Sequence, residues 1–239
     1  METLMRLTTC ITIPTRSIIE EDMHMSKLTW DEVGTHKYAL GVSKGVVYKF
    51  DKTQNKWLGT AWTGLSSVSE SPDGGDANDL YADNILYASI RGTEKLSGTI
   101  ECYDYPDAFD SCIGETELAV GVRIGQQTKD PFCFCYRSEI GESSNPYHSY
   151  KLHVVYNCTA AASEKSYETI NDSPDTEPMS FDYDSVPVNV TGHKATSSLE
   201  IDASKVPSEK MTTLENALYG TDETEAYLPL PDDLLKLIK

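Results

Sequence analysis

Apolar residues alternate with small or polar ones along four segments of the stretch Leu80–Ile140: Ile85–Ile90, Gly98–Tyr105, Leu118–Gln126 and Phe132–Arg137. Leu118, Val120, Val122 and Ile124 fall on one face, with Ala119, Gly121, Arg123 and Gly125 on the other. Phe132, Phe134 and Tyr136 against Cys133, Cys135 and Arg137 repeat the period of two. Successive strand side chains point to opposite sides, so the pattern predicts a half-buried antiparallel sheet. Upstream, Val46–Phe50 and Trp57–Trp62 read as strands joined by the polar loop Asp51–Lys56, a long hairpin. Leu65–Glu70 extends the sheet, and Ser71–Asp76 (SPDGGD) is a turn signal.

Downstream, Glu139–Ser149 reads as a loop. Tyr150–Cys158 is a strand with Tyr150, Leu152, Val154 and Tyr156 on one face. Asn171-Asp172-Ser173-Pro174 predicts a turn. Phe181 and Tyr183 oppose Asp182 and Asp184 on a further strand, where Pro187 predicts an edge or a bulge. Pro106–Asp110 fits one short helical turn. Ser208–Tyr219 is the clearest helix: Met211, Leu214 and Leu218 recur at helical spacing, Ser208 is placed to cap it, and Gly220 stops it. Asp232–Lys239 is amphipathic. The sum is one mainly β (α+β) domain, an antiparallel β-sandwich with a flanking α-helix.

Charge narrows the function classes. The 239 residues carry 38 Asp and Glu against 20 Lys and Arg, a net charge of −18. A protein that holds nucleic acid normally presents a basic patch, so acidity of this size argues against DNA binding. It is compatible with solubility and with keeping DNA from adhering. No run approaches the ~18 apolar residues of a membrane helix, and the apolar run near the N-terminus is too short for a signal peptide. The acceptor patterns Asn157-Cys158-Thr159 and Asn189-Val190-Thr191 are therefore idle.

The six cysteines, Cys10, Cys102, Cys112, Cys133, Cys135 and Cys158, form no CxxC pair, and the expectation is reduced, packed thiols. Glu101, Asp104 and Asp107 lie close enough in sequence to be weighed as a glycosidase carboxylate pair. Glu101 and Asp104, however, fall on opposite faces of a regular strand, and a solvated strand end is the plainer reading. His153, between Leu152 and Val154, is weighed as a partner of Cys133, Cys135 or Cys158, with a satisfied, partly buried histidine preferred. The glycines of Gly121–Gly125 lack phosphate-cradling spacing, and no GxSxG, HExxH or Walker motif occurs. No catalytic residue, cofactor or metal is assigned.

A set of short motifs in order resembles the major tail proteins of long, non-contractile-tailed bacteriophages, the phi13-type family. They are Leu28-Thr29-Trp30-Asp31-Glu32-Val33-Gly34, Gly41–Tyr48, Ala61-Trp62-Thr63-Gly64-Leu65, Glu70–Gly74, Leu80–Ile85, Gly98–Glu101, Tyr105–Phe109, Gly125-Gln126-Gln127, Tyr136-Arg137, Tyr150–His153, Asn171–Pro174 and Leu218–Thr221. The resemblance covers roughly residues 28–232. The extension 1–24 and the Cys133-Phe134-Cys135 strand depart from it. Because Ile19–Lys27 can be encoded by a purine-rich stretch resembling a ribosome-binding site, Met25 is expected to be the natural start, with 25–239 as a single tail-tube domain.

The resemblance implies a structural virion protein without enzymatic activity. Its subunits form homohexameric rings that stack into the hollow tail tube, and inward strands join a ring-wide barrel through which the genome is ejected. Made in the host cytoplasm, it would reside in the virion. It would meet the tape measure protein, the tail terminator and the distal tail protein, and pass DNA without specific binding and without a membrane. An acidic lumen would repel phosphate, since charges act over about 8 Å at physiological salt. On this reading the inter-subunit or inter-ring contacts are expected at the hairpin tip, Asp51, Lys52, Gln54, Asn55 and Lys56, and at the tail residues Leu228 and Leu230. The alternatives are a β-sandwich binding or adhesion module and, more remotely, a carbohydrate-active enzyme.

Overall fold

The computed structural model describes residues 30, 36–75, 77–92, 94–161, 166, 169 and 176–238. The chain divides into Met1–Glu32 and Val33–Lys239, and the fold below is that of the second unit. Residues 1–24, the start expected at Met25 and the turn expected at Asn171–Pro174 lie outside the described residues.

The protein is mainly β. Its strands are β1 (Lys37–Asp51), β2 (Lys56–Trp62), β3 (Leu65–Asp73), β4 (Ala77–Ala82), β5 (Ile85–Arg91), β6 (Lys95–Cys102), β7 (Thr116–Ala119), β8 (Val122–Ile124), β9 (Phe132–Glu142), β10 (Asn145–Ala160), β11 (Met179–Ser185), β12 (Ser198–Asp202) and β13 (Tyr227–Leu228). The helices are α1 (Asp110–Ile113), entered through a 3-10 turn at Asp107–Phe109, α2 (Ser208–Tyr219) and α3 (Pro231–Ile238). One antiparallel sheet runs β13-β2-β1-β9-β10-β11-β6-β3, with β12 added to β10. β4–β5 and β7–β8 form separate two-stranded hairpins.

The two layers expected of a sandwich are parts of this one sheet, which rolls over on itself. Trp62 of β2 lies 6.5 Å from Phe181 of β11, although three strands separate β2 from β11 in the sheet. The roll turns on β10. Its Lys151–Val155 half pairs with β12, and Cys158–Ala160 pairs with β11. The switch occurs at Asn157, whose φ is +48°. An extra residue at such a point bends a strand and steepens its twist.

The roll encloses an aromatic core. Phe109, carried in by the 3-10 turn, sits 4.5 Å from Trp62, 5.2 Å from Phe132 and 5.3 Å from Phe181. These are tilted or edge-on arrangements, worth roughly 0.5–1.5 kcal/mol per pair beyond burial. The opposite face of β1, β9 and β10 carries Tyr48, Cys133, Cys135, Leu152, Val154 and Tyr156 and packs against Met211, Leu214 and Leu218 of α2 and Leu234 of α3. β9 is therefore buried on both faces, and the half-buried expectation fails there. Its period of two separates two cores, because the helices cover the side that would otherwise face water.

Several local expectations are also corrected. Leu118–Gln126 is not one strand: it folds at Val120-Gly121 into β7 and β8, and Gly121 takes φ +78°. Val120 lies in the turn between the two strands, and Leu118, Val120 and Val122 are all exposed, Val120 to 99%. A period of two states which residues share a face; a covering layer must exist for that face to be buried. The expected loop at Glu139–Ser149 is instead the end of a hairpin, with Glu142 opposite Asn145. β3 runs through Ser71 and Pro72 to Asp73, so the predicted turn begins later. Pro187 lies just past the end of β11, which is an interior strand. α2 is preceded by Pro207 in the N-cap position, with no side-chain cap from Ser208. Met211, Leu214, Ala217 and Leu218 are buried as their spacing requires.

Candidate functional site

Two of the segments singled out in the sequence meet in space. The β1–β2 hairpin closes with Asp51 opposite Lys56. Asp51 Oδ1 accepts hydrogen bonds from the main-chain N–H of Thr53 at 2.6 Å and of Gln54 at 3.3 Å. Those two donors hold the Asp51 carboxyl below its ordinary range. Asn55 completes the reversal with φ +52°, a conformation its short amide side chain tolerates. The C-terminal segment then adds to the outer edge of this hairpin: Tyr227 pairs with Leu58 and Leu228 with Trp57. Gln54 Nε2 donates to Glu225 Oε2 at 3.2 Å, and Lys56 Nζ lies 5.2 Å from the centre of the Tyr227 ring.

Of the tail candidates, Leu228 is buried in the helix-covered core, and Leu230 remains 50% exposed. The hairpin and tail frame a groove of about 570 Å³ lined by Phe50, Asn55, Lys56, Trp57, Leu230 and Leu237, among others. Phe50 and Trp57 meet edge-on at 5.3 Å across the strand pair. Phe50, Trp57 and Leu237 were not legible as site residues, because an aromatic next to a turn reads as ordinary strand until the third strand is placed beside it.

Two hairpins stand outside the enclosed cores. β4 and β5 are joined by a two-residue turn, Asp83-Asn84, with φ +53° and +63°. Both positive φ values match the type of reversal that twists with its strands. Leu80, Tyr81, Ile85, Leu86, Tyr87 and Ile90 are all exposed, Tyr81 to 71% and Tyr87 to 74%. The arm is continuous with β3 and β6, so β3-β4 and β5-β6 make one long two-stranded excursion with its base in the main sheet. The sequence signal was present in Leu80-Tyr81 and Ile85-Leu86-Tyr87, which place large apolar residues on both faces of the two strands. β7–β8 is a second, shorter arm with Val120 at its tip.

The residues weighed for catalysis are not brought together. Glu101 Oε2 accepts from Ser67 Oγ at 2.7 Å. Asp107 and Asp110 share Arg123, whose Nη1 is 2.9 Å from Asp110 Oδ1. The Asp104 main-chain carbonyl accepts from Trp62 Nε1 at 2.9 Å. His153 stacks on Tyr136 with ring centres 4.6 Å apart, and its Nε2 lies 2.8 Å from Ser138 Oγ. Cys133 and Cys135 point into the opposite core, so strand parity separates them from His153. Burial pushes the thiols of Cys133 and Cys135 up to about 12, and Cys102, Cys112, Cys133, Cys135 and Cys158 are unpaired, buried thiols. Among the described residues no cluster of three or more His, Cys, Asp or Glu is arranged to hold a metal ion, and no helix is long and apolar enough to cross a membrane.

A scan against protein-family models finds none that matches this chain, and a search of curated proteins likewise returns no match.

Proposed function

We propose that this chain is a tail-tube subunit of a long-tailed bacteriophage, polymerising as stacked hexameric rings into the hollow conduit through which the genome leaves the virion. The observation that carries this reading is the β4–β5 arm. Six large apolar residues in one short hairpin are exposed, Leu80, Tyr81, Ile85, Leu86, Tyr87 and Ile90. An apolar patch of this kind is an interaction surface or an aggregation hazard. A repeated contact between such an arm and a different surface of the next copy is heterologous, and builds a ring where the rotation closes and a filament where it does not. Among the described residues no strand pairs with the outer edge of β3, which supports the same reading, since ring closure is one way to remove an exposed edge. The motifs resembling the major tail proteins support a tail tube as that polymer.

Negative-stain microscopy of the purified protein tests this, alongside the double variant Tyr81→Ser/Tyr87→Ser. Wild-type protein is expected to form rings or tubes, and the variant to stay monomeric with an unchanged melting profile. A wild-type protein that stays monomeric at every concentration and salt tried would sink the reading. So would a variant that polymerises normally.

A further inference from the structure

The faces of the rolled sheet are not alike, and one stands out by what it lacks. The aromatic core fills the inside of the roll, and α2 and α3 cover the outside of β1, β9 and β10. Among the described residues no such layer covers the outside of β3, β6 and β11. Alternation along these strands sends Val68, Ile100, Phe181 and Tyr183 inward and leaves four rungs outward. From the pairing registers the rungs are Asp73–Lys95, Ser67–Glu101–Ser180, Ser69–Thr99–Asp182 and Ser71–Ser97–Asp184. Thr159 of β10 extends the last rung, opposite Asp184.

Eleven of these twelve positions are a hydroxyl or a carboxylate. The one basic residue, Lys95, stands opposite Asp73 at the end of the face, and none is apolar. All but Glu101 and Lys95 are short. The hydroxyls serve their neighbours: Thr99 Oγ1 donates to Asp182 Oδ1 at 2.6 Å and Ser67 Oγ to Glu101 Oε2 at 2.7 Å. No ion pair among the described residues involves Glu101, Asp182 or Asp184, so their charge is left unneutralised. A surface built to dock a protein would offer aromatic or aliphatic anchors, as the arms of this molecule do. A surface built to hold nucleic acid would offer Lys or Arg to the phosphates. This one offers a polar face of short side chains with net negative charge and a single lysine, Lys95, set opposite Asp73.

Resting on the tube reading, we infer that the β3–β6–β11 face is the wall of the lumen, and that the polymer it faces is a polyanion it must let slide. The low, hydroxyl-rich relief leaves the bore unobstructed, and Glu101, Asp182 and Asp184 repel phosphate at close range. The β4–β5 arm projects from the same strands along the chain path, so the wall and the arm belong to one continuous hairpin.

Two measurements on assembled tubes test the assignment. In the first, Thr99→Cys protein is coupled to a maleimide-linked gold cluster, with wild-type protein giving the background from native thiols. Averaged electron micrographs are expected to place the gold inside the bore; gold along the outer rim would overturn the inference while leaving the tube reading intact. In the second, Asp182→Lys/Asp184→Lys tubes are sedimented with a short single-stranded oligodeoxynucleotide. They are expected to retain about tenfold more of it than wild-type tubes at low salt and to release it at high salt. Equal retention would overturn the role given to the charge. Failure of the wild-type protein to form tubes at all would instead remove the reading on which the inference rests.

Discussion

The phenol of Tyr48 donates a 2.7 Å hydrogen bond to the main-chain carbonyl of Leu218, a residue 170 positions away. It joins the middle of β1 to the last turn of α2. The final carbonyls of a helix have no partner within the helix, and here one is satisfied by a fully buried side chain of the sheet. Tyr156 pins the lead-in to α3, donating to the carbonyl of Pro229 at 3.1 Å. Burial pushes both phenols well above their ordinary range, so both remain donors throughout the working pH range. The helices are thus held to the sheet by polar pins as well as by apolar contact.

Tyr48→Phe keeps the ring and removes the pin. It leaves the Leu218 carbonyl buried without its partner, which costs about 1–3 kcal/mol. A urea titration should show a lower midpoint with an unchanged slope. An unshifted midpoint would mean that the bond contributes nothing net.

Phe109→Ala should be among the most damaging single changes in the protein. The ring is fully buried and touches Trp62, Phe132, Phe181 and Tyr105. Truncation leaves a cavity where the rolled sheet closes, costing roughly 3–5 kcal/mol. The melting temperature is expected to fall by roughly 6–20 °C, at about 2–4 °C per kcal/mol for a chain of this size. A drop of a degree or two would show that the 3-10 turn closes over the space.

Gly98→Ala should destabilise the strand trio that carries the polar face. An added methyl there meets the Ser69 carbonyl oxygen of β3 and the hydroxyl of Tyr183 on β11. Relief requires the paired strands to move, a penalty of about 1–3 kcal/mol. Hydrogen exchange is expected to speed up most at the amides of β3 and β6; a uniform change across the sheet would point to a global effect instead.

Acid should weaken the fold partly through His153. Burial lowers its pKa below the ordinary 6.5, against the opposing pull of Glu70 and Glu200, while Lys151 adds to the lowering. The unfolded chain therefore binds the proton more readily than the folded one. This contribution to stability is fully present above 6.5 and is lost as pH falls from there toward the folded pKa, with a slope of at most about 1.4 kcal/mol per pH unit. His153→Phe keeps an aromatic ring against Tyr136 and removes the titration. Its stability relative to wild type should improve as pH is lowered from neutral to mildly acidic; a difference independent of pH would show that the imidazole does not titrate in that window.

The helix α2, the β1–β2 hairpin and the alternation in β9, β10 and β11 could all be read along the chain, because each is local. A helix repeats at 3.6 residues, a strand at two, and a turn needs only a few polar or glycine residues. Even the pairing of Asp182 and Asp184 against Phe181 and Tyr183 was correctly divided between faces. The failures came where a face had to be matched with a cover. Leu118, Val120 and Val122 alternate as well as any core strand, yet among the described residues no layer lies over them. Cys133 and Cys135 are packed thiols as expected, but the face that carries them, which a half-buried sheet would leave open, is covered by α2 and α3.

The same limit applied to the candidate site. The tip residues Asp51 to Lys56 and the tail residues Leu228 and Leu230 were singled out separately, with nothing in the chain to say that β13 adds to β2 and sets them in one groove. Nor could the chain say that the rungs from Ser67, Thr99 and Asp182 onward would gather on one uncovered face, since they come from three strands distant in sequence. Period and parity are properties of neighbouring residues and were determined by the sequence alone. Which face is covered, which is left to water and which is left to another molecule depends on the roll of the sheet at Asn157, and contacts across that roll exist only once the chain has folded.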